Sequence, residues 1–192
     1  MPLWGTAHAS ATNKPKWAPT DENSDYSKGD IYATNAGWVQ QAGTAASGNN
    51  NASADPEVLV AIGGLAGADA STGLRSATVT SMRFVQSSYA AGSRTITVEV
   101  TWDEGVTVTG TPQLVVANDS RADHTLSYTA TGSTANRKRF TAASQTVVED
   151  DVLTIGGTNV TLNGGTVKDT TGAIDSSLVL SGLTAVTSTV TA

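Results

Sequence analysis

The chain carries few side chains that can do chemistry, and their spacing matches no common catalytic arrangement. His8 and His124 are its only imidazoles, and it contains no cysteine. Without cysteine it has no disulfide, no thiol nucleophile and no Cys-ligated metal. Its many serines fall in no G-x-S-x-G turn of the kind that presents a catalytic hydroxyl. We therefore predict that the protein is not an enzyme, that it has no catalytic residues and that it carries no cofactor.

One acidic cluster raises the question of a metal ion. Glu149, Asp150 and Asp151 are consecutive, and calcium takes roughly six to eight oxygen ligands. The chain contains no D-x-D-x-D-G loop, and acidic residues at the start of a strand more commonly form solvated turns. We predict no metal site and keep calcium binding at this cluster as the alternative.

A basic run, Arg137-Lys138-Arg139, directly precedes Phe140. On a strand, Arg137 and Arg139 would share one exposed face because side chains alternate. The simplest interpretation is a charged strand edge that blocks unwanted pairing. The alternative is a salt-bridged contact with an acidic neighbour, which makes Arg137, Lys138 and Arg139 possible charged-contact residues.

The tryptophans are the strongest candidates for function. Trp4, Trp17 and Trp38 lie within residues 1–56, which otherwise show almost no periodic apolar pattern. Aromatic anchors of this kind dominate protein interfaces, so we predict that this region contacts a larger assembly or a sister subunit. The predicted interface residues, with two lysines for electrostatic register, are Trp4, Lys14, Lys16, Trp17, Trp38 and Val39.

Composition limits the classes of partner. The 192 residues include 11 Lys and Arg against 17 Asp and Glu, which gives a net charge of -6. This is the wrong sign for a protein that must neutralise phosphates, so nucleic acid is not an expected partner. No apolar run reaches the length of about 18 residues that spans a membrane, and Met1–Gly5 lacks the features of a secretory signal.

Short strands must position these groups. From residue 76 onward, Val/Ile/Thr-rich segments recur with turn signals about every 8–12 residues, which is typical of an all-β fold. Arg94–Trp102 alternates best, and Trp102 at its end is predicted to be core. Gly29–Gln40 and Pro56–Gly63 are also strand-like and could pair with each other. The other predicted strands are 77–85, 105–108, 113–117, 125–130, 138–142, 152–155, 160–162 and 177–180.

These patterns predict an all-β chain in three parts. Residues 1–65 form an N-terminal arm, extended and loop-rich with short strands, or alternatively a mini-domain that packs its own tryptophans. Residues 66–75 are small and polar and form a linker. Residues 76–192 have the length and strand number of an immunoglobulin-like β-sandwich.

Three sequence blocks carry a family resemblance in the C-terminal part. Tyr89–Trp102 is a Y-x-x-G entry into an alternating strand, Val106–Leu114 is a V-x-V-x-G-x-P-x-L bend, and Leu162–Gly172 is an L-N-G-G turn. Occurring in this order within residues 77–182, they resemble a family of bacterial and phage immunoglobulin-like domains. Members of that family occur in adhesins, surface proteins and virion proteins, so the resemblance implies a fold and little about function.

Short motifs in the N-terminal part carry a second resemblance. Met1–Gly5, Lys14–Trp17, Ala36–Val39 and Glu57–Ala61 are similar to the opening of small virion structural proteins of tailed phages. This resemblance implies a capsid decoration or neck-region protein that binds the particle through its N-terminal region and projects the sandwich outward.

The same resemblance implies partners and a location. The partners would be the major capsid protein or proteins of the neck and portal region, with several copies of this chain on one particle. The location would be the virion, assembled in the host cytoplasm. The alternative function is an adhesin module that binds host-surface glycans.

Overall fold

Strands make up nearly all of the regular structure in the computed structural model, which describes residues 28–44, 47, 49–67 and 74–192. Within these ranges the only helical segment is a single 3₁₀ turn, Lys28–Asp30. The prediction of an all-β fold is confirmed. None of the described residues belongs to a helix with the length and apolarity needed to cross a membrane.

Thirteen strands follow one another along the described chain. They are β1 (Ile31–Thr34), β2 (Gly37–Gln40), β3 (Glu57–Ala61), β4 (Val79–Phe84), β5 (Tyr89–Ala90), β6 (Gly92–Trp102), β7 (Val106–Thr109), β8 (Gln113–Asn118), β9 (His124–Thr129), β10 (Arg137–Val147), β11 (Val152–Ile155), β12 (Thr166–Asp169) and β13 (Val186–Thr191).

The chain divides into two compact units, and the division differs from the predicted one. Unit 1 contains residues 1–78, 102–107 and 168–177, and unit 2 contains residues 79–101, 108–167 and 178–192. Three stretches of the predicted sandwich, 76–78, 102–107 and 168–177, therefore belong to the N-terminal unit. Of the predicted linker, residues 68–73 lie outside the described ranges.

Unit 1 is built on a three-stranded antiparallel sheet with the order β1-β2-β3. β1 and β2 form a hairpin in which Thr34 stands opposite Gly37. Gly37 has a φ of +129°, and a Cβ there would stand 1.9 Å from the carbonyl oxygen of Val60, so only glycine fits. The β2–β3 ladder confirms that the two strand-like N-terminal segments pair with each other.

A small hydrophobic core stabilises unit 1. Ile31 and Trp38 are completely buried in it, and Leu65 at the end of the predicted arm and Ala66 at the start of the predicted linker are core residues as well. The buried members of the cluster are Ile31, Ala33, Trp38, Val60, Leu65 and Ala66. For the described residues, therefore, the N-terminal part packs its own tryptophan, as the mini-domain alternative expected.

Unit 2 is built on an eight-stranded sheet with the order β4-β6-β10-β9-β8-β11-β13-β5. Strict alternation on β6 turns Ile96, Val98 and Val100 inward, where they are completely buried. On β10, Phe140 stands opposite Val98 and is buried with it. The intervening residues of β6 and β10 form the other face of the sheet, which carries the charges described below.

The two ends of the unit 2 sheet meet. Phe84 on β4 and Tyr89 on β5 belong to the first and last strands of the order, yet their ring centroids are 5.9 Å apart in an edge-to-face contact. A Cβ at Gly156, which follows β11, would stand 2.4 Å from the terminal methyl of Met82 on β4. The sheet therefore curls over itself and encloses its apolar face.

Most strands predicted from residue 76 onward are present, and 152–155 is reproduced residue for residue. The predicted strands 160–162 and 177–180 are wrong. Thr161 makes only an isolated antiparallel bridge with Gln113 of β8. Elsewhere in these segments the backbone N–H of Leu180 donates to the side-chain oxygen of Asn159, and that of Val160 donates to the Leu178 carbonyl. β5, β12 and β13 were missed: β5 has only two residues, β12 has a single apolar residue, Val167, and β13 has only two, Val186 and Val190.

Candidate functional site

Four of the predicted interface residues, Trp4, Lys14, Lys16 and Trp17, lie outside the described residues. The structure thus bears on this interface only through Trp38, Val39 and the residues around them.

Trp38 and Val39 lie in the interior of unit 1 and present no surface to a partner. They occupy β2, the central strand of its sheet, so neighbours on both sides cover them. Trp38 is completely buried against Ile31 and Val60, and Val39 is buried as well. The prediction assumed that no local apolar face could receive Trp38, but β1, β3 and the segment after β3 supply one. Both residues act in the core.

The basic run converges on one buried carboxylate. Glu99 on β6 is only 1% exposed, and Arg83 donates to its Oε1 from Nε at 3.0 Å and from Nη2 at 2.9 Å. Arg139 donates from Nε to Oε2 at 3.0 Å, and Nη1 of Arg137 lies 3.7 Å from Oε1. Three guanidinium groups therefore surround a single carboxylate on the outer face of the unit 2 sheet.

These cations keep Glu99 ionised. Burial acts to raise the pKa of the carboxyl, but the charges of Arg137 and Arg83, with hydrogen bonds from Arg139 and Arg83, outweigh it and lower the pKa. The interpretation of the run as a strand edge is wrong, because β10 lies between β6 and β9. Arg137 and Arg139 instead form the salt bridge that the alternative described, and their acidic neighbour is Glu99 of the same unit.

Lys138, between the two arginines, points to the opposite face of β10. It is buried, and its ammonium donates to the Thr134 carbonyl at 2.6 Å. Burial lowers the pKa of Lys138 to about 8. Lys138 therefore makes an internal contact and has little surface for a partner.

The acidic cluster near residue 150 is divided between solvent and interior. Glu149 and Asp150 are exposed, whereas Asp151 is buried and accepts hydrogen bonds from the Val148 backbone at 2.9 Å and the Asn118 amide at 3.1 Å. The backbone hydrogen bond from Val148 comes first among the causes that lower the pKa of Asp151. In the described part of the chain no group of three acidic or histidine residues is placed to hold a metal ion.

His124, at the start of β9, is buried because β9 lies between β10 and β8. Its Nδ1 lies 2.9 Å from Oε1 of Gln145, and its Nε2 lies 3.5 Å from Nδ2 of Asn118. These contacts join strand ends within unit 2. In the described part of the chain both contacts of the imidazole are with side-chain amides.

A second buried glutamate lies in unit 1 and has a different environment. Glu104 is 1% exposed and pairs as an isolated parallel bridge with Ala33. Its Oε1 is buried and has no hydrogen-bond partner. Burial, followed by the negative charges of Asp103 and Asp169, raises the pKa of Glu104 to about 8.

β3 forms an open edge of the unit 1 sheet. β2 pairs along one side of β3, and no strand in the described ranges pairs along the other. At the far edge of the same sheet, the Ala33 N–H on β1 donates to the Asp103 carbonyl at 2.6 Å, so that edge is covered. Val58 on β3 is 53% exposed, the largest value among the exposed large hydrophobic residues.

Sequence reasoning missed the features that stand out here. Glu99 is a charged residue on the outward face of the alternating strand β6, and this position could have drawn attention to it. Nothing in the neighbouring sequence shows that Arg83 and Arg139 reach its carboxylate. Glu104 follows Asp103 directly, and two adjacent acids before a strand indicate only a turn. The open edge of β3 depends on strand order, which a sequence pattern does not specify.

No protein-family model, curated protein or solved structure matches this chain.

Proposed function

We propose that this chain is a non-enzymatic structural protein of a tailed-phage virion. In this proposal it is a capsid decoration protein that attaches through its N-terminal region and projects unit 2, an immunoglobulin-like domain, outward. The observation that carries the attachment is the open edge of β3 in unit 1, with the exposed Val58 on it.

An open strand edge binds a partner strand through main-chain hydrogen bonds. Alternate residues of β3 point their N–H and C=O groups away from β2, which leaves them available to an added strand. An exposed apolar side chain such as Val58 then adds specificity by entering a pocket of the partner. The partner is therefore a short extended segment, which in this proposal belongs to a major capsid protein.

Two features of β3 limit such pairing to a short segment. The strand has five residues, and its register against β2 shifts by one residue between Trp38 and Val39, as at a β-bulge. Short, bulged edges resist open-ended sheet growth. β3 is therefore suited to one defined contact and not to aggregation. We propose Trp4, Lys14, Lys16 and Trp17 as further contacts, and we remove Trp38 and Val39 from the interface because they are buried.

The composition of unit 2 supports a projecting role. Its sheet encloses the apolar residues, and the outward residues of its long strands are mainly threonine with the Glu99 ion cluster. A domain with a closed core and a polar exterior can face solvent on a particle without a disulfide.

The test is a binding measurement with purified virus particles from the source that encodes the chain, assembled without it. The purified protein is incubated with the particles, which are sedimented, and bound copies are counted on a gel. We expect wild type to bind and Val58→Lys to bind at least about tenfold more weakly, because a lysine on an open edge blocks strand addition.

Val179 supplies a matched control. Its side chain is 52% exposed, nearly the same fraction as the 53% of Val58, but Val179 lies in unit 2. Val179→Lys should bind as wild type does. Failure of the wild-type protein to bind particles would overturn the proposed function, and equal binding by Val58→Lys would overturn the role of β3 alone.

The alternative, a glycan-binding adhesin, has less support from the described residues. Sugar rings are bound on exposed aromatic faces, but Phe84, Tyr89 and Phe140 of unit 2 are buried. Binding of the purified wild-type protein to a panel of host-surface glycans, without binding to particles, would favour this alternative.

A further inference from the structure

Glu104 is placed where a carboxylate is poorly tolerated. It lies between β6 and β7 in unit 1 and is 1% exposed. Its Oε1 has no hydrogen-bond partner, and no ion pair within the described ranges includes it. A buried ionised group without a partner is costly, whereas the same group in its protonated form is much less so.

The acidic residues beside Glu104 have hydrogen-bond partners of their own. Asp103 accepts the Thr78 N–H on Oδ1 at 2.6 Å. Asp169, at the end of β12, accepts the Gly172 N–H on Oδ1 and the Ile174 N–H on Oδ2. Both aspartates therefore accept hydrogen bonds from backbone N–H groups, whereas Oε1 of Glu104 accepts none. Of the three acids, Glu104 is the one suited to carry a proton.

The remaining titratable groups on the neighbouring elements do not neutralise Glu104. β1 meets Glu104 at Ala33 and carries Tyr32, whose pKa is raised by burial, and β1 follows the buried Asp30. On β12, the ammonium of Lys168 lies 3.2 Å from Asp175 Oδ1 and donates to the Ala173 carbonyl. The charges that raise the pKa of Glu104 are the two negative ones of Asp103 and Asp169.

We propose that Glu104 is a proton switch built into unit 1: the unit is held together with this carboxyl protonated and loosens when the proton is lost. Loss of the proton places a negative charge beside Asp103 and Asp169, at the point where the 102–107 segment joins the edge of β1 through the Ala33–Asp103 hydrogen bond. Repulsion there acts directly on the contact that covers this edge of the sheet.

The direction of the pH effect follows from the two titration positions. The pKa of Glu104 is about 8 in the folded chain, against an ordinary value of 4.5. Between these values the unfolded chain is ionised at this position and the folded chain is protonated, so rising pH favours unfolding. The stabilisation is complete below pH 4.5, decreases through neutral pH and is lost above about pH 8.

Tryptophan fluorescence measures this switch selectively. The two tryptophans that the structure describes, Trp38 and Trp102, are both in unit 1 and both buried. Urea unfolding of the full chain is followed by this signal from pH 5 to pH 9. We expect the unfolding equilibrium constant of wild type to rise at least about tenfold more than that of Glu104→Gln, because each unit of pKa shift is a factor of ten.

Asp55→Asn is the matched control, since it removes an exposed acid from the same unit. It should retain the wild-type pH profile. Identical profiles for wild type and Glu104→Gln would overturn the proposal. If Glu104→Gln does not fold, the wild-type protein is measured by infrared spectroscopy with labelled glutamate: a protonated-carboxyl band at pH 7 that disappears by pH 9 supports the switch, and its absence at pH 7 overturns it.

Discussion

Two glutamates five positions apart show how differently the two units treat a buried charge. Glu99 in unit 2 and Glu104 in unit 1 are each 1% exposed. Guanidinium groups lower the pKa of Glu99 despite its burial, whereas burial and two aspartates raise the pKa of Glu104 to about 8. Burial alone therefore does not decide the charge of a carboxyl. The charges that the fold places beside it decide.

The different environments of Glu99 and Glu104 should also make the stability of the two units depend on different conditions. In unit 2, the Glu99 cluster joins β4, β6 and β10 on the outer face, so its ion pairs link three strands. In unit 1, the charges that act on Glu104 are the negative ones of Asp103 and Asp169, which lie on segments distant in sequence. Unit 2 should therefore respond most to loss of a charge partner, and unit 1 to pH.

The largest expected effect comes from removing the shared carboxylate in unit 2. Glu99→Gln leaves three guanidinium groups around a neutral amide, and breaking a buried ion cluster from one side typically costs roughly 3–5 kcal/mol. Amide hydrogen exchange of peptides from β6 and β10 should show this loss of protection. Glu149→Gln, at an exposed acid of the same unit, should leave exchange unchanged. Equal exchange in the two variants would mean that the cluster is not structural.

A smaller effect is expected from removing one arginine. Arg83 donates two hydrogen bonds to Glu99 and Arg139 donates one. Hydrogen bonds to charged groups contribute about 1.5–3 kcal/mol, so Arg83→Met should destabilise unit 2 by about that amount and Arg139→Met by less. Urea unfolding of the two variants, followed by far-UV circular dichroism, measures which one is less stable. A larger loss of stability in Arg139→Met than in Arg83→Met would contradict the prediction that Arg83 contributes more.

The smallest effect is a pH dependence of opposite sign in unit 2. The pKa of Lys138 is about 8 in the folded chain, against 10.5 ordinarily. Between these values the unfolded chain holds the extra proton, so unit 2 gains stability as pH rises from about 8 to 10.5. Lys138→Met keeps the apolar stem and removes the charge.

This variant should be more stable than wild type at pH 7, by about 1 kcal/mol or more, and the difference should shrink toward pH 10. The measurement is the urea midpoint of both proteins at each pH. A difference that does not change with pH would show that Lys138 is charged throughout the range.

The all-β class and most of unit 2 could be predicted from the chain because they depend on local alternation. Ile96, Val98 and Val100 alternate with polar residues, so one face of β6 must be buried, and Trp102 at its end is buried as predicted. The two predicted strands that failed, 160–162 and 177–180, form no ladder: Thr161 makes only an isolated bridge with Gln113 of β8, and the Val160 N–H donates to the Leu178 carbonyl. Periodicity shows which residues are extended and not what they pair with.

The sequence by itself determined that this protein is made of short strands with threonine-rich outer faces, because residue type and period suffice for that. Only the tertiary structure decided the fate of its polar and aromatic residues. Trp38 is core because β1 and β3 flank it, and Glu99 is ionised because Arg83 and Arg139 reach it from other strands. The pKa of Glu104 is raised because the fold buries it and places it beside Asp103 and beside Asp169, which comes 65 positions later in the chain. Burial and charge depend on neighbours, and the neighbours are set by strand order.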